Sequence, residues 1–108
     1  MASKSGVAVS LDSKAVPLLP GARESSVSGV HTGGEARNRD WVGANVTFAP
    51  GVDSDIAALM FDPQTSGGLL LAVAESRADE LQELFATDRE PLWRIGTVAG
   101  GLPAIRVD

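Results

Sequence analysis

After Gly6, the residues Val7, Val9 and Leu11 alternate with small or polar neighbours. A period of two in a β-branched run predicts a strand with one buried face. Asp12-Ser13 offers an N-cap for Ala15, Val16, Leu18 and Leu19, but Pro17 and Pro20 forbid a long helix here. A single turn or tight connector up to Gly21 is expected instead. Ala22 to Ser28 reads as a short helix closed by Gly29 in the C′ position. The polar stretch from Val30 to Trp41, with its Gly33-Gly34 pair, reads as a loop. Val46-Thr47-Phe48-Ala49 predicts a short strand ending at Pro50-Gly51. Asp53 or Ser54 can cap a helix that starts near Asp55, carries Ile56, Leu59 and Met60 on one face, and stops before Pro63.

Gly67-Gly68 leads into Leu69-Leu70-Leu71-Ala72-Val73-Ala74, whose unbroken apolarity predicts a central strand buried on both faces. Ser76 and Asp79 have the spacing of a capping box, and Ala78, Leu81, Leu84 and Phe85 form the buried stripe of an amphipathic helix behind it. Trp93 to Val98 and Ala104 to Val107 flank Gly100-Gly101-Leu102-Pro103 and read as a terminal hairpin. The sum is an α+β fold, an α/β sandwich: a mixed sheet of about five strands with two or three helices packed on one face, in a single domain over residues 1–108.

Composition narrows the function. The 108 residues are 44% hydrophobic and 21% charged, a globular balance. With no cysteine and only one histidine, His31, disulfides, thiolate chemistry and multi-histidine zinc sites are excluded. A net charge of −5 works against a nucleic-acid surface. The longest apolar run, Leu69 to Ala74, is far short of the roughly 20 residues of a membrane span, and Met1 to Gly6 lacks the apolar core of a signal peptide. No membrane and a cytoplasmic location are expected.

The most unusual segment joins the helix after Asp53 to the apolar run: Asp62-Pro63-Gln64-Thr65-Ser66-Gly67-Gly68. Thr65, Ser66 and the amides of Gly67 and Gly68 could accept an oxyanion, and Asp62 could hold Mg²⁺ directly or through water. The same residues also suit a structural turn, with Asp62 accepting backbone N–H bonds across the proline and Gln64 and Thr65 satisfying buried backbone groups. Residue chemistry alone favours the turn. No Walker A word is present.

Gly33-Gly34 with Arg37, Asn38 and Arg39 is the second candidate, since arginine can clamp a phosphate in a bidentate grip. Residue chemistry favours a plain surface loop whose arginines pair with the excess carboxylates, because surface ion pairs are common. Trp41 would anchor that loop to the core. His31 could move a proton, yet no carboxylate is obviously placed in sequence to orient it. No serine–histidine–aspartate arrangement is apparent.

The word Asp62-Pro63-Gln64-Thr65-Ser66-Gly67-Gly68-Leu69-Leu70 resembles the C-terminal domain of the selenophosphate synthetase (selenide, water dikinase) family, within the aminoimidazole-ribonucleotide-synthetase-like superfamily. So do Gly6 to Asp12, Val16-Pro17-Leu18-Leu19-Pro20-Gly21-Ala22, Gly33-Gly34 with Arg37-Asn38, and Ile95-Gly96-Thr97-Val98, in register along the chain. Thr32 stands where the family commonly has proline, and Glu35 where Thr or Ser is usual.

The resemblance implies an enzyme that converts selenide, ATP and water to selenophosphate, AMP and phosphate with Mg²⁺. It also implies that these 108 residues are a truncated C-terminal domain, most but not all of it, and that the nucleophile, the essential lysine, the Mg²⁺ carboxylates and most ATP contacts lie in an N-terminal domain that precedes this region. No catalytic residue or metal ligand is expected in these 108 residues, and no tightly bound cofactor. Asp62, Gln64, Thr65, Ser66, Gly67 and Gly68 are then expected to line or buttress the interdomain site, with the N-terminal domain and a second copy as partners. The alternative is a stand-alone phosphate-, nucleotide- or protein-binding module of the same superfamily.

Overall fold

The computed structural model describes residues 1–108. A short helix, α1 (Ala2–Ser5), precedes strand β1 (Val7–Leu11). Gly6 joins the two at φ 64°, a left-handed conformation that glycine adopts without a Cβ penalty. No residue pattern pointed to α1, whose Ala2 is among the few buried residues.

The Pro17–Pro20 connector carries no helix and delivers the chain to α2 (Ala22–Val27). That helix stops as expected, with Gly29 at φ 84°. Strand β2 (Val46–Phe48) and helix α4 (Ser54–Leu59) also form where the pattern placed them, and Asp53 caps α4 by accepting from Asp55 N at 2.8 Å. Buried Ser26 joins α2 to α4, donating to Asp55 Oδ1 at 3.2 Å.

Four strands make one mixed sheet in the order β2-β4-β1-β3, with β3 at Gly96–Gly100 and β4 at Ala104–Val107. β1 runs antiparallel to β3 (Val9 opposite Val98) and parallel to β4 (Val9 opposite Ile105), and β2 runs parallel to β4. The expected terminal hairpin is therefore not one. β1 lies between its two arms. Neighbouring strands sit about 4.8 Å apart, so a three-residue link of roughly 10 Å reach can cross over one intervening strand. Gly101, at φ 149°, makes that crossing beside Ala8.

The apolar run from Leu69 to Ala74 is not a strand. It pairs with no strand and is exposed, with Leu69 91% and Leu70 61% accessible. Continuous apolarity suits several environments, and position β4 beside β1 is taken by the alternating Ala104–Val107 segment instead. The stretch from Val30 to Trp41 differs the other way: most of it is helix α3 (Gly33–Val42), and Trp41 points away from the core at 87% exposure. The helix Ala78–Asp88, α5, is present, but a 3₁₀ turn at Glu75–Arg77 leads into it. No side chain caps it. Arg77 grips Glu80 in place of the Ser76–Asp79 box, and Leu84 of the expected buried stripe is exposed.

Leu11, Val107 and Phe48 face one another across β1, β4 and β2. Val107, 1% exposed, is the centre of the core, and Phe61 beyond α4 meets Phe48 edge-on at 5.7 Å between ring centroids. The core is thin. Only seven of 108 residues are buried, and the radius of gyration is 14.9 Å. A compact chain of this length would measure about 13 Å.

Candidate functional site

The two segments singled out by residue chemistry meet in space. Helix α3 brings Thr32, Gly34 and Asn38 against the turn that begins at Phe61-Asp62-Pro63. Thr32 Oγ1 donates to Asp62 Oδ1 at 2.8 Å, and Asn38 Nδ2 donates to Phe61 O at 2.8 Å. Gly34 is buried because the Pro63 ring packs directly on its Cα, where any Cβ would collide with it. The second glycine of a pair that read as a loop is thus a flat seat for a proline. Thr32, at the N-cap position of α3, gives its hydroxyl to Asp62 rather than to the helix. The Asp62 carboxylate, sitting at that helix start, also complements the macrodipole.

Arg39 lies over the Phe61 ring at 4.7 Å and pairs with Glu35 Oε1 at 3.1 Å. Glu35 also stands 3.2 Å from His31 Nδ1. The orienting carboxylate that sequence reading did not find for His31 is therefore its neighbour four residues on, hidden by the expectation of a loop. Arg37 and Arg39 do not converge as a phosphate clamp; Arg39 is committed to Glu35 and Phe61.

Past Pro63 the turn is open. Gln64, Thr65, Ser66, Gly67 and Gly68 are exposed, and none of their side chains or amides has a hydrogen-bond partner. They do not satisfy buried backbone groups, and Asp62 accepts a hydroxyl, not amides across the proline. What the turn offers is a row of free donors: a carboxamide, two hydroxyls and two glycine N–H groups. Such a row can take up an oxyanion when another surface closes over it.

Beside the turn, a groove of about 340 Å³ runs over the sheet face, floored by Leu11, Phe48 and Val107 and walled by Trp41 and Met60, with Asp62 at its mouth. No group of three or more His, Asp or Glu side chains comes together in the chain. No helix is long and apolar enough to cross a membrane.

Away from the turn, Arg23 Nη2 pairs with Asp53 Oδ2 at 2.7 Å. The hydrogen bond from Arg23, with that from the Asp55 amide, holds the Asp53 carboxyl below its ordinary value, and Arg23 is held protonated by the same contact.

No protein-family model matches the chain. Curated relatives do. The chain is 41% identical over 103 residues, 95% of its length, to a selenide, water dikinase of Nitratidesulfovibrio vulgaris (strain Miyazaki F), covering 29% of that protein. It is 44% identical over 81 residues, 75% of its length, to that of Caldanaerobacter subterraneus subsp. tengcongensis, covering 23%. The one from Dechloromonas aromatica is 36% identical over 104 residues and 30% covered. The chain thus spans between a quarter and a third of the length of the curated relatives it matches most fully.

Proposed function

We propose, from the premise that this chain belongs to the selenide, water dikinase family, that residues 1–108 form one unit, most of the C-terminal domain of an enzyme making selenophosphate from selenide, ATP and water, with AMP and phosphate as further products. The observation that carries this reading is the likeness over 95% of the chain to relatives more than three times as long, with the Asp62–Gly68 turn presented open on the surface. A turn with free donors and no ligand-grade cluster of its own suits a surface that closes against a neighbouring catalytic half.

The residues here do not fit Mg²⁺ or ATP by themselves. Asp62 is the turn's one carboxylate and already accepts from Thr32, and the two lysines, Lys4 and Lys14, lie far from it in sequence beside β1. Metal and nucleotide are therefore assigned to the preceding N-terminal domain, the chain's partner in the whole protein. This domain would cover that half and exclude water from a reactive phosphoryl intermediate. Asp62, Gln64, Thr65, Ser66, Gly67 and Gly68 line the interdomain face. A cytoplasmic homo-oligomer completes the reading.

The test is to assay the isolated 108-residue protein, and the product of its full coding sequence, with ATP, Mg²⁺ and selenide. The full product should release AMP and selenophosphate, and the isolated chain neither. Turnover by the isolated chain would overturn the reading. Saturable binding of Mg²⁺-nucleotide or phosphate by it at or below roughly 10 μM, about −7 kcal/mol, would replace it with the stand-alone binding module.

A further inference from the structure

We draw no further inference here: the strongest candidate, the apolar groove over the sheet face between Trp41 of α3 and Met60 at the end of α4, carries no proposal because nothing in the structure shows what covers it in a chain that spans under a third of its relatives' length.

Discussion

Asn38 in the middle of α3 donates to the carbonyl oxygen of Phe61, 23 residues further on, at 2.8 Å. That oxygen lies just past the last turn of α4, where helix-end carbonyls lose their intrahelical donors. The bond therefore fixes how α3 approaches the candidate turn. Asn38→Ala leaves a part-buried acceptor unmet and should cost about 1–2 kcal/mol in urea unfolding. Asn38→Asp should cost at least as much at neutral pH, since a carboxylate cannot donate.

The two adjacent glycines of α3 should respond in opposite directions. Alanine normally gains up to about 1 kcal/mol over glycine inside a helix. At Gly33 a Cβ meets nothing within 4 Å, so Gly33→Ala should be neutral or mildly stabilising. At Gly34 it would drive into the Pro63 ring, and Gly34→Ala should destabilise by roughly 1–3 kcal/mol. Pro63→Ala in the same chain should recover much of that loss. Thermal melts of the three variants decide the matter.

Acid sensitivity follows from Arg23 and Asp53. The Asp53 carboxyl is held below its ordinary value, first by its hydrogen bond from Arg23. A group depressed in the folded state adds stability above its unfolded pKa, near 3.9, and loses it as pH falls through the lower folded value. Arg23→Gln should therefore lower the melting temperature at pH 7, and the difference should shrink as pH falls through the depressed folded value of Asp53. The pair is exposed, so 1 M salt should shrink the difference at pH 7.

On the proposed interdomain reading, Gln64→Ala and Ser66→Ala in the longer protein should lower kcat/KM about tenfold, the scale of one lost charge-assisted contact, without shifting the unfolding midpoint. Their side chains are exposed and make no hydrogen bond within this chain, so a purely structural turn would leave activity unchanged. Thr32→Val serves as the contrast, because it frees the Asp62 oxygen without altering the row of donors.

Local chemistry in the sequence was enough wherever one segment decides its own structure. The alternation at Val7–Leu11, the Asp53 cap and the Gly29 stop are signals of that kind, and all three form. Helix α3 was hidden because its residues are polar on every side and open with two glycines. It is secured instead by Phe61 and Pro63, 23 and 29 residues beyond their partners in the helix. The Leu69–Ala74 run misled for the opposite reason, since apolarity states a need for cover without naming who supplies it. Both halves of the candidate site were visible as odd residue clusters. Their meeting was not, because no pattern within either one encodes the Thr32–Asp62 bond.

The insertion of β1 between β3 and β4 has a cost in time. Every β1 pairing joins the first eleven residues to positions 96–107, and Asp108 N closes onto Leu11 O at 2.9 Å. Such contact order slows folding, because the whole intervening loop must close before any ladder bond rewards it. On a ribosome the nascent β1 would wait, apolar and unmatched, until nearly a hundred further residues had been synthesised, and a chaperone that shields short hydrophobic stretches should speed this protein's maturation.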